Sequence, residues 1–251
     1  MTERPSIGQK IAADLRAAIQ AGELRPGDTI DSERTLVERY NTSKATVRKV
    51  IETLKSEGLL ISEPGSRIRV RQVRRLDRFG STRHLTSERP DGTAPLEAEA
   101  SSQAIRKKTT LIEVTTTRAP GGVAARLQIE PLSPVIVRRH LIHLDGHPAA
   151  AAESYFLPEV VAESRIMLPE TISGGVHAEL ARILGTPLTE AVEELVARMP
   201  NSAETEYFRL PPGTPVVELI RTIHAGERPV EVTEWLFDAS RHRFIYRVPM
   251  D

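Results

Sequence analysis

Cysteine is absent from the 251 residues. That removes disulfide scaffolds, thiolate metal sites and cysteine nucleophiles together, and leaves the chain no need of an oxidising compartment. No uninterrupted apolar run approaches the roughly 18 to 20 residues of a membrane span, and the opening MTERPSIGQK lacks the apolar core of a secretory leader. A cytoplasmic protein with no membrane partner is the expectation. HExxH, GxSxG and phosphate-loop patterns are missing as well. Net charge is lacking too, since 34 Lys+Arg balance 34 Asp+Glu.

The zero hides a division. Residues 1–75 carry 15 basic and 10 acidic side chains, while residues 76–251 carry 19 and 24. Basic charge gathered in one small unit is the footprint of an anion-binding domain. A chain longer than the roughly 150 residues of an ordinary domain is expected to form two.

In residues 1–75 the spacing of Ile7, Ile11, Leu15 and Ile19 predicts a first helix, opened by a capping-box pair, Ser6 and Gln9, and closed at Gly22. Asp31 or Ser32 can cap a short second helix through Tyr40. Ser43 opens a third, whose apolar stripe Val47, Val50, Ile51 and Leu54 leaves Lys44, Arg48 and Lys49 on another side. After Gly58 the period becomes two, and Leu59–Ile61 and Arg67–Arg71 read as a hairpin turning at residues 63–66. Arg67, Arg69 and Arg71 then share one face at about 7 Å spacing. Three helices and a basic hairpin make a winged helix-turn-helix, in which helix three enters the major groove while the wing holds phosphates. A cap serine or a row of solvated arginines has an ordinary structural meaning by itself. Their coincidence in the basic unit points to double-stranded DNA, with Arg67 and Arg69 as phosphate contacts.

The stretch GELRPGDTIDSERTLVERYNTSKATVRKVIETLKSEGLL resembles the DNA-binding domain of GntR-family transcriptional regulators. The resemblance implies that Ser32, Glu33 and Arg34 start the second helix and that Arg34 contacts operator DNA. Ser43, Lys44, Thr46 and Arg48 match the family's contact positions on helix three, and Gly65 matches the wing-tip glycine. Asp31 stands where the family usually has proline, and the wing EPGSRIRV lacks the usual second glycine.

Residues 76–95 collect Gly, Ser, Thr, Pro and charge without a sustained period, and read as a linker with room for one short ordered segment. Residues 96–251 alternate seven strand-like runs with short helical ones. Two runs are joined through Asp145-Gly146 and two through Gly226-Glu227, hairpin connections that make the sheet mainly antiparallel and the fold α+β. The segments VIVRRHLIHLDGHPAAAAESYFLPEVV and TPVVELIRTIHAGERPVEVTEWLFDASRHRFIY resemble the UTRA ligand-sensing domain of the HutC-type branch. That likeness implies a chorismate lyase-like fold, a small-molecule effector pocket and a homodimer. By position it assigns His140, Glu153, Tyr155, Glu234 and Phe237 to the effector pocket. His140 and Ile142 stand where sugar-phosphate-binding members have an Arg-x-Arg pair, so a carboxylate, an amine or a mostly apolar metabolite is expected before a sugar phosphate. Arg138 or Arg139 can contribute from a shifted register.

His140, His143 and His147 raise the question of a metal. Residues three apart on a strand point to opposite faces, which separates His140 from His143 unless a bulge intervenes, and no metal or other cofactor is expected. The leading function is an effector-responsive transcriptional repressor with no catalytic residues. A lyase-like enzyme and an architectural DNA-binding protein are the alternatives. A closed apolar pocket containing convergent polar groups in the second domain separates a sensor from the architectural reading.

Overall fold

The protein is described from a computed structural model over residues 5–62, 67–82, 93–172, 174–248 and 250. It forms two compact units, Met1–Arg74 with Met199–Thr214, and Arg75–Arg198 with Pro215–Asp251.

In the first unit α1 (Ile7–Gln20), α2 (Glu33–Tyr40) and α3 (Lys44–Ser56) each begin on a serine. The side chains of Ser6, Ser32 and Ser43 accept the N–H groups of Gln9, Thr35 and Thr46. A hydroxyl cap satisfies a donor that the helix leaves unpaired, worth about 1 kcal/mol each time. Between α2 and α3 the chain reverses through Asn41 in the left-handed region at φ +47°, a conformation asparagine tolerates better than other side-chain-bearing residues. Ile11, Leu15, Leu36, Val47, Ile51 and Leu54 make the core, closed by Leu60 and Val70. Ile7, counted with the apolar stripe of α1, is 41% exposed; burial begins one turn later.

The wing pairs β1 (Leu60–Ile61) with β2 (Arg69–Val70) antiparallel. Residues 27–30 lie along β2, with Gly27 N–H donating to Val70 O at 3.0 Å and Ile30 N–H to Ile68 O at 3.0 Å. Its expected turn, residues 63–66 and thus Gly65, falls outside the described residues.

The second unit runs β3 (Leu76–Phe79), α4 (Pro95–Ser102), β4 (Lys107–Arg118), α5 (Gly121–Leu127), β5 (Pro134–Leu144), β6 (His147–Phe156), α6 (Pro158–Val161), a 3-10 turn at Arg165–Met167, α7 (Val176–Leu184), β7 (Glu190–Arg198), β8 (Val216–Ala225), β9 (Arg228–Asp238) and β10 (His242–Ile245). Between β7 and β8 lies α8 (Ser202–Phe208), which groups with the first unit. Six strands form one sheet in the order β4-β5-β6-β9-β8-β7, antiparallel at every pairing. The expected hairpins are present. Asp145 and Gly146 both have positive φ, as a type I′ turn demands, whereas only Gly226 does in the β8–β9 turn, as in type II′.

The short ordered segment allowed for in the linker lies at its start. Leu76–Phe79 is a strand paired in parallel with β10, and Leu76 is fully buried. Its partner lies some 166 residues away in sequence, with Arg78 opposite Phe244, so nothing local announces it.

The sheet has two unlike faces. On the first, Leu76, Ala100, Ile142, Ala150 and Phe237 form one apolar cluster under β3, β10 and α4, and Ile136, Phe156, Val161, Ile166 and Leu180 form another under α6 and α7. On the second face α5 packs Val123, Ala124 and Leu127 against Val135, Val137, Tyr155 and Val232.

A buried ion pair joins the added strand to α4. Glu99 accepts from Arg78 Nε at 2.7 Å and from the Phe79 N–H at 2.8 Å, with the two side chains only 7% and 2% exposed. The Arg78 guanidinium also lies 5.3 Å from the Phe237 ring centroid. Removing one charge leaves the other buried, so Glu99→Gln should destabilise the second unit by about 3–5 kcal/mol. Urea unfolding followed by Trp235 fluorescence measures it. A loss below about 1 kcal/mol, no more than an exposed pair contributes, would contradict this account of the pair.

Candidate functional site

On α3 the stripe Val47, Val50, Ile51 and Leu54 is buried, and this fixes Lys44 and Arg48 on the exposed side. Ser43 and Thr46, expected at the DNA, also share the helix cap, their hydroxyls 2.9 Å apart. Ser32 and Thr35 repeat the pattern at α2, at 2.8 Å. The expected contact cations have acidic partners. Arg34 Nε donates to Glu38 at 2.9 Å, Arg48 Nε to Glu33 at 3.1 and 3.3 Å, and Lys44 Nζ stands 3.8 Å from the same Glu33. On the wing, Arg67 and Arg69 are exposed, and Arg69 Nη1 donates to Gly27 O at 3.1 Å. A cavity of about 380 Å³ opens between the start of α2, α3 and the wing, lined among others by Ser32, Glu33, Arg48, Lys55 and Arg67.

In the second unit the five expected effector residues do not share a face. Register puts Glu153 directly opposite Glu234, and Tyr155 opposite Val232, all on the second face. His140 stands opposite Ala152, which stands opposite Trp235, on the first face with Phe237. Strand alternation forbids one pocket on one face from taking all five.

Glu153, Tyr155 and Glu234 do come together. The Tyr155 hydroxyl donates to Glu153 Oε2 at 2.6 Å and reaches Glu234 Oε2 at 3.5 Å. Arg139, one register step along, donates through Nε to Glu153 at 3.0 Å and through Nη1 to Glu113. From α5, Arg126 grips Glu194 through two bonds of 2.8 and 2.9 Å. No ion pair to Glu234 is formed among the described residues. Burial, and then the charge of Glu153, hold its carboxyl above the usual carboxylate range. Burial and the bond to Glu153 push the Tyr155 phenol up as well. Sequence spacing pointed to neither Arg126 nor Glu113, because their roles depend on strands and a helix meeting across the sheet.

The first face carries a separate polar row. Ser154 and Thr233 hydroxyls are 2.8 Å apart, and Thr233 donates to buried Glu231 at 2.6 Å. Arg221 donates to Glu193 at 2.7 Å with its guanidinium 5.9 Å from the Trp235 centroid. Arg138 is 1% exposed. Its Nη1 and Nη2 donate to the carbonyls of Ile166, Leu168 and Glu170, which pins the turn after α6, while its Nε is buried without a partner among the described residues. Ile142 is 2% exposed in the core. The bulges beside β5 fall at residue 112 of β4 and residue 149 of β6, so β5 itself keeps His140 and His143 on opposite faces. No metal-binding group of three His, Asp or Glu occurs among the described residues, nor a helix long and apolar enough to cross a membrane.

Three capped helices with a wing, carrying exposed cations on the third helix, joined to a separate sheet with a polar cluster, define a DNA-binding transcriptional regulator of two units. Residues 7–70 match the gntR family of bacterial regulatory proteins and residues 102–243 match the UTRA domain. The chain belongs to the GntR family of transcriptional regulators, in its HutC-type branch with a UTRA domain. It is 30% identical over 240 residues to the HTH-type transcriptional regulator SCO4628 of Streptomyces coelicolor, covering 88% of this chain and 89% of that one. It is 24% identical to the HTH-type transcriptional regulator Rv0792c of Mycobacterium tuberculosis, over 96% of this chain and 85% of that one. A solved GntR-family regulator superposes over 99% of both chains, with TM-score 0.68 and 27% identity. PhnF from Mycobacterium smegmatis shares the fold at TM-score 0.57 and 18% identity, over 96% and 100%. These relatives are transcription regulators, not enzymes.

Acid should unfold the second unit selectively. Burial, reinforced by Arg138, lowers the His140 pKa from 6.5 to about 4, and burial with Arg78 lowers that of His242 to about 3. An unfolded histidine takes up its proton first, so stability is full above pH 6.5 and declines as pH falls toward these folded values. The first unit contains no histidine. The melting temperature of the second unit should therefore fall from pH 6.5 to 4.5, and His140→Gln should flatten the slope. A wild-type slope in that variant would exclude His140 as a cause.

Proposed function

We propose that the protein is a repressor that holds operator DNA as a cytoplasmic homodimer and releases it when a small molecule binds at Glu153, Tyr155 and Glu234. GntR regulators bind operator DNA and UTRA domains bind small-molecule effectors. The observation that carries the finer reading is the Tyr155 hydroxyl set between two register-paired carboxylates, of which Glu234 forms no ion pair among the described residues and feels Arg126 only at a distance. Like charges placed opposite on a sheet cost stability, and such an arrangement is relieved by a ligand that brings positive charge or hydrogen-bond donors. An amine fits that chemistry. A sugar phosphate does not, because the two positions of the Arg-x-Arg pair hold a histidine kept neutral near pH 7 and a core isoleucine.

For DNA, Lys44 and Arg48 on α3 are read as groove contacts, and Arg34, Arg67 and Arg69 as phosphate contacts. Two-fold symmetry supplies a second recognition helix, which one small unit needs for selective binding.

Glu153→Gln and Glu234→Gln should keep operator affinity while abolishing release by the active member of a panel of amines, carboxylates and sugar phosphates. Mobility shifts read this directly, and by linkage operator DNA must weaken the binding of that compound by the same factor. Release that survives in both variants rules this cluster out as the effector site. Arg69→Ala should reduce the slope of log affinity against log salt by about one while keeping the order of preferred sites. A loss confined to one site variant would mean that Arg69 reads sequence.

A further inference from the structure

Glu33 takes no part in the expected contacts, yet it is the acid that two of the four cations of α3, Lys44 and Arg48, both meet. Lys44 and Arg48 are four residues apart on the exposed side of one helix, where like charges repel. Glu33, from the first turn of α2, meets both, at 3.8 Å and 3.1 Å, beside the cavity that Arg48 and Arg67 also line. The bonds to Arg48 run through Nε alone. A guanidinium held at Nε keeps its terminal Nη1 and Nη2 pair for an outside acceptor, and that fork matches the O6 and N7 of guanine.

We propose that Glu33 is a positioning residue for sequence reading, fixing Arg48 in one orientation while its own charge opposes indiscriminate docking on phosphates. The proposal rests on the reading of Arg48 as a groove contact. Glu33 thus raises discrimination and lowers sequence-independent affinity, since specificity is a difference between two affinities.

The test uses the full chain and two duplexes: the tightest one that wild-type protein selects from a random pool, and a scrambled duplex of equal length and composition. Fluorescence anisotropy at two salt concentrations gives both affinities for wild type, Glu33→Gln, Glu33→Asp, Arg48→Ala and the double variant Glu33→Gln/Arg48→Ala. Glu33→Gln should bind the scrambled duplex more tightly, and the ratio of selected to scrambled affinity should fall about tenfold. Glu33→Asp keeps the charge and its favourable place at a helix start, so it folds comparably; it should lose part of the ratio without tighter scrambled binding. With Arg48 removed, Glu33→Gln should shift both duplexes alike. The proposal is overturned if Glu33→Gln shifts both duplexes alike in the presence of Arg48, which is a plain charge effect, or if Glu33→Asp keeps the wild-type ratio. If Arg48→Ala itself leaves the ratio unchanged, the groove-contact reading fails and this inference falls with it.

Discussion

Successive residues of a β-strand face opposite ways, and across the six antiparallel strands of the second unit this constraint decides which polar groups can meet. Once β6 and β9 pair with Glu153 opposite Glu234, every other position on both strands is assigned a side. Tyr155 goes under α5 with its hydroxyl at the carboxylates. Trp235 and Phe237 go to the other face, stacked at 5.2 Å, where Arg78 packs on them. The sheet thereby separates a half-open polar cluster from two buried ion pairs on its far side, one fastening β3 to α4 and the other tying β8 to β7.

The two sets of charges do different physical work. Arg78 with Glu99 and Arg221 with Glu193 are nearly sealed from water; such pairs are costly to break and contribute mainly by fixing one arrangement of the parts. Arg139 lies between Glu113 and Glu153 at roughly one-third exposure, where water still screens the pair and a ligand can exchange with it. A polar cluster that is partly solvated, with one carboxylate not ion-paired among the described residues and braced by tyrosine, is suited to answer a small molecule. The sealed pairs are suited to carry load.

In the first unit the equivalent division lies along α3. Its buried stripe locks the helix against Leu36 and Ile11, leaving its outer residues no role in the core. The ion pair of Arg34 with Glu38 is exposed, and a pair of that kind contributes so little that a DNA phosphate can displace it without loss of fold. Weak surface pairing therefore suits a phosphate contact, whose cation is kept in order before DNA arrives and given up when it does.

Local patterns in the sequence determined the three serine-capped helices, the alternating strands and the two tight turns, because caps, helical stripes and type I′ or II′ turns are settled by residues within about four positions of each other. They also determined that Lys44 and Arg48 face outward, since the stripe Val47–Leu54 admits only one orientation. What only tertiary structure decided is which distant residues meet. The strand at Leu76–Phe79 exists because β10, some 166 residues on, pairs with it. Arg126 from α5 reaches Glu194 on β7, and Glu33 reaches Arg48 from a separate helix. His140 and Glu153, read together as effector residues, are parted by the sheet for the same reason: strand register fixes faces, and register is set by the packing of whole strands rather than by the neighbours of any one residue.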